Sequence, residues 1–192
     1  MAGFTLIEMI VAVGVFTVMM SVIVGAFSSG ALAYRGAREL QKNVESAQYA
    51  MNTMAKHLRT STIFSPATPS SVSSIRFYEY SSDRCFRYDI SGGVLSARWH
   101  GIDGGTYADS DELFQACENG TVSFPASQPM TSGDVEGIFR VVPSDDGSGG
   151  TDKRIGRVTI QLTVKNAPGE NEHLKSSIQT SVSLRDYGYI GI

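Results

Sequence analysis

The sequence predicts an α+β fold: one long N-terminal helix, membrane-spanning in its first half and amphipathic in its second, packed on an antiparallel β-sheet head. Three observations carry that expectation. Residues 9–34 contain no Asp, Glu, Lys or Arg. Apolar residues then continue at helical spacing as far as Leu58, with no proline between positions 4 and 59. From Ser74 onward the texture changes to short runs rich in β-branched and aromatic residues, separated by turn residues. Runs of strands after a single helix indicate segregated α and β elements rather than alternating ones.

Taking the elements in order, the charge-free stretch makes a helix roughly 39 Å long, against a hydrocarbon core of about 30 Å. A cleaved secretory signal would have a shorter apolar core, a basic start and a small-residue cleavage site. Here the run is too long, and residues 28–33 (SSGALA) match such a site poorly. A buried core helix seldom stays free of charge for so long in a small domain. We therefore expect residues 4–34 to span a membrane. Gly14, Gly25 and Gly30 interrupt the run. Gly25 and Gly30 lack the four-residue spacing of a helix-dimerisation motif, so local flexibility is the expected role.

Past Tyr34 the period persists. Ala33, Ala37, Leu40, Val44, Ala47, Met51, Met54 and Leu58 follow at spacings of four and three, placing them on one stripe. Arg35, Lys42, Asn43, Glu45, Gln48, Asn52, Lys56 and Arg59 fall off the stripe, toward solvent. Thr60, Ser61 and Thr62, followed by Pro66, read as the helix stop. The amphipathic half is expected over residues 35–62 and the globular head over 63–192. Strands are expected at 74–80, 84–90, 94–100, 137–142, 157–164 and 176–187, with Ser91, Gly92 and Gly93 joining the second and third as a tight hairpin. The region 101–132 reads mostly as loop.

Composition excludes some functions. A net charge of −3 with no Lys/Arg cluster leaves no electrostatic footprint for nucleic acid. The chain has two cysteines, Cys85 and Cys117. In an oxidising compartment they would close a loop of about 30 residues and add roughly 3 kcal/mol. Otherwise they are two separate, partly buried thiols. His57, His100 and His173 lack metal-ligand spacing. Neither glycine-rich stretch is followed by the Lys-Ser/Thr of a phosphate loop, and no G-x-S-x-G elbow occurs. Asp145, Asp146 and Asp152 in a glycine-rich turn are the sole calcium candidates, and their spacing is not that of an EF-hand. Asn119 begins a glycosylation sequon, a match common by chance. No catalytic residue, cofactor or resident metal is expected, and the chain reads as a non-enzyme.

The motif GFTLIE, residues 3–8, stands directly before the charge-free span. It resembles the processing site of type IV prepilins and type II secretion pseudopilins. The resemblance covers six residues in motif and the whole chain in architecture. It implies cleavage after Gly3, leaving residues 1–3 as a leader remnant, and N-methylation of Phe4 as the new amino terminus. It implies that Glu8, the fifth mature residue, pairs in a filament with the amine of a neighbouring subunit. The implied partners are other pilin or pseudopilin subunits, a prepilin peptidase/methyltransferase, and an inner-membrane platform protein driven by a cytoplasmic ATPase. The implied location is a single-pass membrane protein with an extracytoplasmic head, and then a filament. Chain length and the strand-rich head resemble the J-type minor pseudopilins. The alternative is a single-span anchored extracytoplasmic binding protein that does not polymerise. The leader departs from the family pattern in having no Lys or Arg. With Arg35, Arg38 and Lys42 beyond the span, the positive-inside rule would put the head in the cytoplasm. A longer basic leader, or a trimmed start, reconciles the two.

Overall fold

The computed structural model describes residues 5–102, 105–144, 154–166 and 173–185. The chain divides into two compact units, the first ending at Glu39 and the second beginning at Leu40. One continuous helix, α1 (Leu6–Arg59), belongs to both. In the first unit nearly every side chain of α1 is exposed, apolar ones included.

The second unit begins with the amphipathic end of α1. Ala47, Ala50, Met51, Met54 and Leu58 are buried there, with Val44 packed beside them. The stripe is therefore real from Leu40 to Leu58, but Ala33 and Ala37 are exposed, contrary to expectation. Their part of the helix lies in the unit that has no core. Asn43 is a second correction: expected in solvent, it is only 5% exposed. Its amide lies against Gly133, where a Cβ would come within 2.7 Å of it, and Ser132 donates its N–H to Ser46 Oγ at 3.2 Å. A loop from the sheet thus covers that helical face. The helix ends where expected. Its free C-terminal carbonyls find partners: Ser61 Oγ donates to the Leu58 carbonyl at 2.9 Å and the Arg185 N–H to that of Arg59 at 2.7 Å.

Nine strands follow, β1 (Ser61–Ser65), β2 (Ser70–Val72), β3 (Ser74–Glu79), β4 (Arg84–Ser91), β5 (Val94–Gly101), β6 (Gln128–Pro129), β7 (Asp134–Val142), β8 (Arg157–Lys165) and β9 (Lys175–Ser183). All pairings are antiparallel. They form a five-stranded sheet ordered β1-β3-β4-β5-β6 and a four-stranded sheet ordered β2-β7-β8-β9. The fold class is as expected, α+β with an antiparallel head. The β4–β5 hairpin turns through Gly92 and Gly93 at φ +58° and +77°, the paired positive values a type I′ turn requires. One core joins the end of α1 to both sheets, through Phe77, Tyr88 and Leu95 of one and Phe139, Ile160 and Leu162 of the other.

Two expectations fail in the head. The helix stop at Ser61 and Thr62 is already strand: β1 pairs with β3, and both residues are buried. The head therefore starts before residue 63. The region 101–132 contains helix α2 (Ser110–Asn119). Asp109 caps it by accepting the Glu112 N–H at 2.9 Å, while the Glu112 carboxylate accepts the Ala108 N–H at 2.6 Å. Gly120 closes it in the left-handed conformation at φ +73°. α2 lies on the outer face of the five-stranded sheet and buries Leu113 and Cys117 against Tyr78 and Cys85.

Candidate functional site

The N-terminal segment of α1 combines a capped start with an unburied apolar surface. Thr5 and Glu8 stand three residues apart, at the spacing of a capping box. The Thr5 N–H and hydroxyl both face Glu8 Oε2, at 3.3 and 3.4 Å, and the Glu8 N–H points to Thr5 Oγ1 at 3.4 Å. One carboxylate oxygen is thereby engaged. Among the described residues Oε1 has no hydrogen-bond partner. A negative side chain in the first helical turn also faces the positive end of the helix dipole. Gly3 and Phe4, the expected processing residues, lie outside the described residues.

Beyond Glu8 the helix presents Ile10, Val15, Phe16, Val22, Ile23 and Phe27 to its surroundings, each more than half exposed. Two of its hydroxyls are satisfied within the helix: Thr17 donates to the Val13 carbonyl at 2.8 Å and Ser21 to that of Thr17 at 2.9 Å. That arrangement removes polar groups an apolar medium would penalise. Gly14, Gly25 and Gly30 sit within the unbroken helix, with nothing within 4 Å of a Cβ built on any of them. This helix is long and apolar enough to cross a membrane.

The cysteines are joined. A Cys85–Cys117 disulfide, Cα–Cα 5.7 Å, staples β4 to α2. The calcium candidates Asp145, Asp146 and Asp152 fall outside the described residues. Among the described residues no cluster of three His, Cys, Asp or Glu side chains is placed to hold a metal.

A second feature was not legible beforehand. In the head, a trough of about 430 Å³ lies between the last turns of α1 and strand β6. Its floor is aromatic, with Phe86 between Trp99 (centroids 6.2 Å apart) and His57 (4.7 Å). Tyr88 Oη meets His57 Nδ1 at 2.7 Å. Burial holds the His57 pKa below its ordinary value, with Lys56 and Arg84 acting in the same direction and Glu79 opposing them. Glu79 itself is 4% exposed, and Ser81 and Ser82 each donate a hydroxyl to its carboxylate. The lining residues come from α1, four strands and a turn, so no short motif announces them.

No protein-family model, curated protein or solved structure matches this chain. Function therefore rests on the residues themselves.

Proposed function

We propose that the chain is a non-enzymatic filament subunit, a minor pseudopilin or minor type IV pilin, cleaved after Gly3 and assembled through its N-terminal helix. The observation that carries the reading is the pairing, on one helix, of an exposed charge-free stretch with a carboxylate, Glu8, directly before it in the first helical turn. A plain anchor has no use for Glu8 beyond capping. In a filament, cleavage creates an amine on Phe4, and the Glu8 carboxylate of a neighbouring copy offers it an acceptor. At about 4 Å and an effective dielectric near 20 such a pair is worth roughly 4 kcal/mol before desolvation. Left alone in the same apolar bundle the carboxylate would be a penalty, so the charge favours correct register. Peptidase, methyltransferase, platform protein and ATPase are the partners this reading requires.

Two measurements test it. Mass spectrometry of the mature protein should find an N-methylated Phe4 at the amino terminus. Glu8→Gln should insert in the membrane as well as the parent chain yet fail to enter filaments. An intact leader in cells with an active peptidase, or normal incorporation of the variant, defeats the proposal. The second reading, an anchored extracytoplasmic binding protein, is favoured by the trough in the head. It predicts an uncut N-terminus and indifference to Glu8.

A further inference from the structure

The open edge of the five-stranded sheet is chemically two-faced. β6 pairs only with Ser96 and Ala97 of β5. Among the described residues, 98–101 of β5 have no strand paired on that side, and an edge without a strand partner is a template for a further ladder. On the core side of this edge lies the aromatic trough, with Trp99 at its floor. On the other face the register sets three arginines in one row, Arg76 opposite Arg87 and Arg87 opposite Arg98.

Like charges directly opposite each other destabilise a sheet, and among the described residues the ion pairs that offset this row come from one buried carboxylate, Asp89. Asp89 accepts from Arg87 Nε at 3.1 Å and lies 3.9 Å from Arg98 Nε, too far for a hydrogen bond. Among the described residues the Nε atoms of Arg76 and Arg98 and Asp89 Oδ2 are buried without a hydrogen-bond partner. Arg76 is held in place by the Glu118 carbonyl at 3.3 Å and by close packing on Gly120. The row thus carries excess positive charge on fixed guanidinium groups, the geometry suited to carboxylates.

We propose that residues 98–101 of β5 receive an extended peptide segment of a partner protein by strand addition, and that its residues alternate between apolar and acidic. Alternation follows from strand geometry: successive side chains of the added strand point to opposite faces. One set enters the trough over Phe86 and Trp99. The other stands one strand spacing from Arg98 and meets the arginine row. Lys56 and Arg84 at the trough outnumber Glu79, so a basic side chain is disfavoured on that face as well. The inference holds whether or not the chain polymerises.

The chain's single tryptophan, Trp99, reports occupancy directly. The full chain in detergent micelles is titrated with the blocked heptapeptide acetyl-STEFETS-amide while Trp99 emission is followed. A saturable change is expected. Replacing both glutamates of the peptide by lysine should weaken binding about tenfold, replacing its phenylalanine by alanine should weaken it by a similar factor, and N-methylating its ladder-forming amides should abolish it. Arg98→Gln should remove the preference for the acidic over the basic peptide, with Arg157→Gln on the other sheet as a control that keeps it. Because the peptide comparisons use the unaltered protein, a folding defect in Arg98→Gln cannot decide the matter. No saturable change at millimolar peptide, equal binding of the N-methylated peptide, or equal binding of the basic one each overturns the proposal.

Discussion

The two halves of α1 are built from similar apolar residues and have opposite fates. Met19 and Met20 are exposed by 60% and 46%, whereas Met54 is fully buried. One half surrounds itself with apolar residues on every side, and the other confines them to a stripe with charges opposite. A stripe can be buried by one sheet-bearing head. A cylinder apolar all round can be satisfied only by a medium or by several neighbours. The comparison teaches that one helix carries two solubility problems, solved by different partners.

The sharpest way to break that contrast is the same truncation made in each half. Met54→Ala should destabilise the head by about 2–5 kcal/mol, read as a lowered melting temperature. Ile10→Ala should move the same melt by less than about 0.5 kcal/mol. Equal effects would mean that the first half of the helix is part of the head's core after all.

Next in size is the disulfide. The cross-link spans 32 residues, and for such a loop the chain-entropy estimate is about 3–4 kcal/mol. Cys85→Ala/Cys117→Ala should lower the denaturation midpoint of the head accordingly and leave membrane insertion unaltered. Val18→Lys should do the reverse. A cation at the centre of the span costs about 2.5–3.5 kcal/mol on insertion scales, so membrane fractionation should show the loss while the head's melt stays put. An unchanged membrane fraction would argue that this segment is not a span.

The smallest expected effect is on pH. His57 has a folded-state pKa below its unfolded value, so the unfolded chain binds the extra proton. Stability is then complete above the unfolded pKa, near 6.5, and declines as pH falls toward the folded one. His57→Gln should flatten that acid limb in a melt series, and an unchanged slope would show that another group carries it. At the other extreme, burial raises the pKa of Tyr78 and Tyr88. The unfolded chain releases those protons first, so stability should fall as pH rises above about 10. Tyr88→Phe should weaken that alkaline decline.

Much of the fold was legible because it follows from periodicity along the chain. The end of α1, the Gly92–Gly93 turn and the strand run at 157–164 each depend on neighbours within a few residues. α2 was missed although its signals were present: Asp109 with Glu112 three residues on, and Gly120 at the far end. With Leu113 and Cys117 its only buried residues, its hydrophobic pattern was too short to stand out. Asn43 was misplaced because its helical position faces a loop that arrives from 90 residues away in sequence.

By itself, then, the sequence determined the long helix, a change in its character part-way along, the antiparallel head and the acidic residue at the start of the apolar stretch, whereas the structure moved that change from Tyr34 to Leu40. All of these are written in local spacing and in the free energy of moving side chains out of water. Tertiary structure alone decided which cysteine sulfurs meet, which polar groups are buried, and where the trough and the arginine row lie. Those depend on strand register and sheet order, which bring distant residues together through contacts that no window of the sequence contains.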